Sequence, residues 1–286
     1  MPFVLRLAIV AMLFASQDAV AQTVLAWKWE PGQSFRLERQ IRQKQTVTLK
    51  NTALNQQRDS TWLVRFDVKD ATTLQATFEK AQHKIAGNLG KDGMDEPLAN
   101  QLEGCAFTLT VAPSGEVNQV RGLDEFWDKA AAGDAAKRKA LRDAYSEKAL
   151  RDAFTDMLGP LPVQAVSPKD TWRRETTEPI PHFGSFRNTL LFRHEGAIDA
   201  RHTLRYSIEA AYQTPKQADV ALFRVVKADL QGKDGKGTLV FDAAKGRLVS
   251  HQRSMLVRGQ LDIEATGRQQ SVEFTSENTL TIRAVE

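Results

Sequence analysis

Most of the chain alternates apolar and polar residues with a period of two. In residues 35–50 the apolar members share the odd positions, and charged or polar residues fill the even ones. The same alternation recurs in residues 62–68, 107–111, 204–208 and 280–284. This pattern is typical of strands with one buried and one solvated face. The chain is therefore predicted to be mainly β, with antiparallel curved sheets in a half-barrel or sandwich-like arrangement.

Short segments rich in glycine are predicted to be the turns between these strands. They are PSG at 113–115, KG at 245–246, and two GKDG segments at 90–93 and 232–235. Asp-Gly supplies the positive φ values that a tight hairpin requires, so both GKDG segments are interpreted as matching turns.

One region, residues 123–158, shows helical spacing instead and predicts a short α-helical insert. Within it KALRDAY is followed nine residues later by KALRDAF, a shift that rotates a straight helix by about 180°. A break near Ser146, a plausible N-cap, avoids burying opposite faces. Gly159 and the following prolines are expected to end the insert.

The segments on either side of the insert resemble each other, which predicts an internal duplication. PxxSFRxE from Pro31 matches PxxTWRxE from Pro168, and four further short matches follow in the same order, including GKDG. The alternative is that strands and turns recur in any β-rich chain. The predicted organisation is a first β half at 22–122, a helical insert at 123–159 and a second β half at 160–286.

The N-terminus resembles a secretory signal peptide. Arg6 precedes the apolar run LAIVAMLFA, and an AxA-type cleavage site ends at Ala21. The run is shorter than the about 20 apolar residues that span a membrane. We therefore predict residues 1–21 to be a signal peptide, with export to the periplasm or the exterior and a mature chain that begins at Gln22. No later stretch is long and apolar enough to span a membrane.

The distribution of charge and the number of cysteines exclude some partners and covalent links. The formal net charge of the 286 residues is +4, but the basic residues are spread along the chain, so nucleic acid is not expected as a partner. Cys105 is the only cysteine, which excludes an intramolecular disulfide and favours a buried apolar role for the thiol.

Motifs for chemistry are few. GKDG lacks the Ser or Thr of a phosphate loop, and only the first copy has further carboxylates nearby, so Asp92, Asp95 and Glu96 are left as an untested metal candidate. The histidines show no metal-ligand spacing, and Ser185 lies in HFGSF rather than in a hydrolase elbow. No catalytic residue, metal site or cofactor is predicted.

Two glutamates hold equivalent places in the two halves. Glu38 and Glu175 lie among positive residues on predicted strands, which favours cross-strand ion pairs over acid–base chemistry. The tryptophans on or beside strands are expected to pack in the core, and a minority interpretation places them around an apolar pocket.

The segments WKWEPGQSFRLE, FTLTVAPSGEVNQVRGLDEF, VSPKDTWRRE and GTLVFDAAKGRLVSH carry a resemblance to a known group. They resemble an exported bacterial family catalogued as a domain of unknown function, with a W-K-[FW]-x-x-G opening. A more distant similarity, at the level of fold alone, is to the periplasmic lipoprotein-carrier half-barrels. The resemblance implies no activity, because fold does not fix function.

Three functions stay open from the sequence. The leading hypothesis is a non-catalytic binding module of the cell envelope, whose partner is a lipid or another envelope protein. The second is a surface protein that assembles through sheet edges. The third, a hydrolase, has no motif to support it. The oligomeric state is not indicated by the sequence.

Overall fold

A computed structural model describes residues 22–50, 52–88, 95–180, 184–213, 224–265 and 267–286. The predicted signal peptide, the GKDG segment at 90–93 and Asp92 lie outside these ranges, as do the side chains of Asp95 and Glu96.

The described strands form one antiparallel sheet of eleven members, in the order β5-β4-β3-β2-β1-β11-β10-β9-β8-β7-β6. The first half contributes β1 (Ser34–Leu49), β2 (Thr52–Val68), β3 (Thr73–Gly87), β4 (Ala106–Val111) and β5 (Val117–Arg121). The second half contributes β6 (Thr171–Ile180), β7 (Gly184–Ile198), β8 (Arg201–Gln213), β9 (Arg224–Asp242), β10 (Arg247–Ala265) and β11 (Arg268–Val285). The mainly β prediction is confirmed, and both predicted halves share a single open sheet in which β1 pairs with β11.

Four short helices in the described ranges accompany the sheet, namely α1 (Asp95–Asn100), α2 (Leu123–Ala131), α3 (Ala135–Ala144) and α4 (Glu147–Leu158). The last three form the predicted insert, whereas α1 had no sequence signal. The predicted break at Ser146 is confirmed, because its hydroxyl accepts a hydrogen bond from Ala149 N at 3.4 Å and caps α4. Gly159 ends α4 with a φ of 85°.

Helix α4 covers the inner face of the sheet over β2, β3 and β4. The ring of Phe154 is fully buried and lies 5.9 Å from Phe66, 6.0 Å from Phe78 and 5.0 Å from Phe107. Such edge-to-face contacts add to the free energy of burying the rings themselves. We call Phe66, Phe78, Phe107, Phe126 and Phe154 the aromatic core.

The second half of the sheet curls over itself. Glu178 on β6 accepts a hydrogen bond at 2.5 Å from Asn278 Nδ2 on β11, although four strands separate β6 and β11 in the sheet. The inner faces of β6–β11 are therefore brought opposite one another, and the edge strand β6 returns to the middle of the sheet.

The second GKDG segment is not a turn, which corrects the sequence prediction. Residues 231–236 lie inside β9, where two residues of β9 face Met255 alone on β10 and form a bulge, with Asp234 at a φ of 53°. An added Cβ on Gly235 would lie 2.7 Å from Ile208 Cβ, and one on Gly237 would lie 2.1 Å from the Tyr206 ring. These glycines leave room for β8 side chains to lie across β9.

The other predicted turns are confirmed at residues 113–115 and 245–246. Consecutive residues of the opening segment join them, since Trp27 N donates to Pro113 O at 2.8 Å and Lys28 N to Gly246 O at 3.1 Å. We call residues 22–33 the N-terminal strap. It crosses one end of the sheet and links the two halves, whose proposed duplication stays a prediction.

Candidate functional site

Along β1, apolar and polar residues follow one another in layers on the inner face of the central strands. Leu37 is buried, and Val47, further along the strand, is buried with Phe274 of β11 opposite it. Between these two apolar residues the inward positions are polar except for Ile41, and Gln45 pairs in register with Gln56 of β2 and with Ser276 of β11, all three of them buried. Inward and outward positions therefore still alternate along this part of β1, but apolar and polar residues no longer alternate with them.

A strip of this inner face is only half-buried. It consists of Arg39, Ile41 and Gln43 on β1 and Arg58 and Ser60 on β2, which we call the inner strip. The inward residues at one end, Leu37 and Trp62, and at the other, Gln45 and Gln56, are each less than 9% exposed. The inner strip is therefore an accessible part of the inner face between neighbouring residues that are covered.

Arg253 of β10 stands beside the strip and is held by two carboxylates. Its guanidinium lies 3.3 Å from Asp156 Oδ1 on α4 and 3.9 Å from Glu178 Oε2 on β6. Burial alone would lower the pKa of Arg253, but Asp156 and then Glu178 raise it above its ordinary value. This cluster ties α4 and the edge strand to the centre of the sheet.

The same contacts act on Asp156. Burial would raise the pKa of this carboxyl group, but the attraction of Arg253, followed by those of His251 and Arg39, holds the pKa below its ordinary value. Asp156 is therefore ionised at neutral pH and available to balance Arg253.

Tyr206 and His251 form a second buried contact. The Tyr206 hydroxyl lies 2.6 Å from His251 Nε2 and reaches it across β9 at Gly237. Burial raises the pKa of Tyr206 and lowers that of His251 to about 4, so both groups are neutral at pH 7. A neutral tyrosine bonded to a neutral histidine is a structural contact.

Arg39 differs from Arg253 because no carboxylate of the described residues is in contact with it, although Asp156 and Glu178 attract it from further away. Its guanidinium lies 4.6 Å from the centroid of the Trp62 ring, the residue opposite it on β2. Arg39 Nε and Trp62 Nε1 are both enclosed and have no hydrogen-bond partner among the described residues. Burial lowers the pKa of Arg39 to about 10, so the side chain stays charged at neutral pH. Two neighbouring N–H donors are thus left without a partner among the described residues, while Asp156 and Glu178 oppose the charge of Arg39 only from a distance.

The residues singled out in the sequence do not converge on one site. Cys105 is buried, and burial raises its thiol pKa. Ser185 contacts Gln213 at 3.5 Å. His194 and His202 are buried against each other, with Nε2 and Nδ1 3.0 Å apart. Within the described ranges no three His, Cys, Asp or Glu side chains are grouped so as to hold a metal ion.

The predicted ion pair of Glu38 is confirmed, with Arg283 at 2.9 Å on the neighbouring strand β11. The matching Glu175 is exposed and belongs to none of the ion pairs found in the described part of the chain. Trp27, Trp29 and Trp62 are buried, which confirms core packing as the main role of the tryptophans.

Two depressions lie at the ends of the sheet. One of about 770 Å³ borders the β7–β8 turn and includes Arg201, Arg205 and Asp242. The other, of about 460 Å³, lies between the β1–β2 and β10–β11 turns and includes Leu49, Lys50 and Arg268. The second adjoins the apolar layer of Val47 and Val272 in sequence and lies at the far end of the strand that carries the inner strip.

Sequence comparison reaches only part of the chain. The model of a family of unknown function, DUF6263, matches residues 67–194, which confirms the resemblance to a family of that description. The W-K-[FW]-x-x-G opening at Trp27 lies outside the matched residues. No protein with a curated description matches the chain.

Structural comparison finds a distant fold neighbour. A structure of lipovitellin, described by its lipid–protein interactions, has a TM-score of 0.51 at 10% identity. The match covers 91% of this chain but only 26% of the lipovitellin chain, and at this identity it shows likeness of fold alone. DynF from the dynemicin biosynthesis pathway of Micromonospora chersina covers 93% of this chain and 86% of its own, at 9% identity and a TM-score of 0.19 that is too low for any argument. No helix in the described ranges is long and apolar enough to cross a membrane.

Proposed function

We propose that this protein is an exported, non-catalytic binding module of the cell envelope, which holds an apolar or amphiphilic ligand against the inner face of its sheet. The observation that carries the proposal is the inner strip. It is a half-buried stretch, at Arg39, Ile41 and Gln43, of an inward face that is buried on both sides of it. Ligand sites are usually concave and partly apolar with a few placed polar groups.

The fold neighbour supports the same proposal. Lipovitellin is described by its lipid–protein interactions, and its likeness to this chain covers nearly the whole sheet. A large curled sheet gives a ligand a broad inner surface, and here α4 and the returned strand β6 leave part of that surface uncovered. Shared architecture alone does not assign a ligand, so the inner strip is the place to test.

Two adjacent residues of β2 provide a matched test. Ser60 points to the inner strip, whereas Thr61 points to the outer face, because successive strand residues face opposite sides. We expect the Ser60→Trp variant to fill the strip and to lose lipid that co-purifies with the wild-type protein. The Thr61→Trp variant adds the same ring on the outer face and is expected to retain the lipid.

The measurement is mass spectrometry of organic extracts from natively purified protein, with equal amounts of each variant. A bound amphiphile in the wild type and in Thr61→Trp, absent from Ser60→Trp, supports the proposal. Clean extracts from all three proteins, or equal lipid in both variants, overturn it. Thermal unfolding of each variant checks that Ser60→Trp is folded.

Export is a separate part of the proposal, supported by the arrangement of Arg6, the apolar run and Ala21. Expression of the full chain in a bacterium is expected to give an envelope-fraction protein whose N-terminal residue is Gln22. A protein that keeps Met1 and stays with the cytoplasmic fraction overturns this part without touching the ligand site.

Assembly through sheet edges has less support. The edge strand β5 has only five residues and α4 packs beside it, and β6 at the other edge is tied to Asn278 and Arg253 through Glu178. Short or tied edges resist pairing with another chain. A sedimentation series over a wide concentration range separates the two functions, since edge assembly requires the mass to rise with concentration.

A further inference from the structure

We propose that Arg39 and Trp62 form the subsite for the anionic headgroup, a carboxylate or a phosphate, of a single-chain amphiphile bound along the inner strip. The inference rests on the proposed binding function and specifies its ligand chemistry. It assigns to two residues of the central strands a recognition role that goes beyond burial.

The first step of the argument is charge. Arg253, close by on the same inner face, is compensated by Asp156 and Glu178, and those two carboxylates accept their further hydrogen bonds within the cluster, as Glu178 does from Asn278. Arg39 is in contact with no carboxylate among the described residues, and its Nε has no hydrogen-bond partner there, although Asp156 and Glu178 attract it from further away. Both carboxylates are in contact with Arg253 instead, so an anion in direct contact with the enclosed Arg39 guanidinium would be favourable.

The second step is hydrogen-bonding capacity. Arg39 Nε and Trp62 Nε1 are enclosed donors without partners in the described part of the chain, on residues that lie opposite each other in the register of β1 and β2. Buried donors in proteins are almost always satisfied by protein, water or ligand, and we assign this pair, which lies at one place, to an acceptor from outside the chain. Carboxylate and phosphate oxygens accept from both donors, and the bond to arginine is charge-assisted.

The third step is access. Arg39 begins the half-buried inner strip, and Ile41 follows it on the same face, next to Leu280 of β11. The strip then continues through Gln43, and the strand runs to the apolar layer at Val47 and to the depression that includes Leu49. The accessible part of this surface reaches from Arg39 to Gln43, and an alkyl chain that extends further towards Leu49 has to displace the cover over Gln45 and Val47.

Arginine is suited to such a headgroup because its planar fork matches two oxygens of one anion. The guanidinium is already stacked on the Trp62 ring at 4.6 Å, which fixes its position before the ligand arrives. A lysine at this position would supply the charge without the fork.

The test uses calorimetric titration with four probes: dodecyl phosphate, dodecanoate, dodecanol and inorganic phosphate. The proteins are the wild type, Arg39→Gln, Arg39→Lys and Arg42→Gln. Arg42 lies on the same strand but on the outer face, where it pairs with Asp59 at 3.0 Å, so its substitution removes a positive charge of the same type from the opposite side.

We expect the wild type to bind dodecyl phosphate and dodecanoate, and Arg39→Gln to weaken both by about tenfold or more, as for loss of a charged hydrogen bond. Arg39→Lys should fall between these two proteins, and Arg42→Gln should match the wild type. Dodecanol should bind the wild type and Arg39→Gln equally, because it has no charge to lose.

The outcomes separate the headgroup subsite from the binding function. If dodecanol and both anionic probes bind the wild type, and Arg39→Gln binds the anionic probes as tightly as Arg42→Gln does, the subsite is wrong while the binding function stands. If none of the three alkyl probes binds the wild type, the binding function itself is overturned. If inorganic phosphate binds as tightly as dodecyl phosphate and also requires Arg39, the site takes a free anion and the amphiphile is overturned. Far-ultraviolet circular dichroism of each variant confirms that it is folded.

Discussion

The first half of the sheet is covered by helices, whereas the second half is covered by its own curl. Over β2–β4 the cover is α4, and the contact consists of the rings of the aromatic core with Phe154 at its centre. In β6–β11 the interior also contains Tyr206 bonded to His251 and Glu178 bonded to Asn278. The helix-covered half is stabilised by close packing of rings, whereas the curled half combines packed rings, such as Trp172 on Phe192, with buried polar contacts.

This difference separates stability from recognition. The hydrophobic effect that buries an aromatic cluster is non-directional, so the cluster stabilises the fold without selecting a ligand. Buried polar groups are costly unless each has a partner, and the ones that lack a partner mark where a ligand is expected. Arg39 and Trp62 lie at the boundary between the two regions, beside Phe154 on one side and Arg253 on the other.

The largest expected effect comes from opening the helix-covered half. Phe154→Ala should reduce the free energy of unfolding by about 3–5 kcal/mol, because it leaves a cavity among four aromatic rings. Denaturant unfolding measures this loss of free energy. Affinity for dodecanol in the folded fraction should be unchanged, and a loss of stability below about 1 kcal/mol would contradict the assignment of this core.

In the curled half, Gly237 leaves room for the Tyr206 ring that reaches His251. Gly237→Ala would place a Cβ 2.1 Å from the Tyr206 ring, so Tyr206 must move and its bond to His251 must break. We expect a loss of about 2–3 kcal/mol in the free energy of unfolding. The same substitution in a Tyr206→Ala background should cost much less, and equal costs in both backgrounds would show that the contact is not the cause.

Lowering the pH should reduce the free energy of unfolding through His251, which lies in the curled half. The unfolded histidine takes up a proton below pH about 6.5, whereas the folded one stays neutral until the pH approaches about 4. Since the unfolded state then binds more protons, stability falls as the pH falls through this window, by roughly 2 kcal/mol between pH 7 and pH 5.

The matched comparison for this pH effect is His251→Gln, whose stability is measured by denaturant unfolding at both pH values. The variant should lose less stability on acidification than the wild type by about the amount assigned to His251. His194 and His202 are present in both proteins and cancel. Equal acid sensitivity of the two proteins would rule His251 out as the cause.

The smallest expected effect has the opposite sign. In protein freed of ligand, Arg39→Met should raise the free energy of unfolding by about 1 kcal/mol, because removing an unpartnered enclosed N–H outweighs the lost stacking on Trp62. Denaturant unfolding compares it with Arg42→Met on the outer face. Destabilisation by Arg39→Met beyond that of Arg42→Met would mean that Arg39 serves the fold.

Alternation in the sequence predicts the strands, and the helical spacing predicts α2–α4, because both patterns depend on local geometry. The curl could not be predicted, since it depends on contacts such as Glu178 with Asn278 that are 100 residues apart. The GKDG segment at 232–235 shows that local sequence alone does not decide between a turn and a strand. The φ of Asp234 is positive, as a turn would require, but the register to β8 and β10 places Asp234 in a bulge.

The positions of the inner-strip residues on β1 could have been predicted from the sequence, although their polarity is not typical of an inward face. Arg39, Gln43 and Gln45 occupy the same odd parity of β1 as Leu37 and Val47, so they point inward. Polar residues on an inward parity predict a buried polar layer, whereas the absence of a partner for Arg39 among the described residues is visible only once α4 and β10 are in place.

The order of the strands also bears on how the protein folds. The sheet's central pair joins β1, near the start of the chain, to β11 at its end, and the N-terminal strap bonds to the turn at Gly246. Contacts between residues so far apart in sequence form slowly, because a long loop must close first. The pair of β1 with β11 cannot form until β11 has been synthesised, so β1 has only β2 as a neighbour until then.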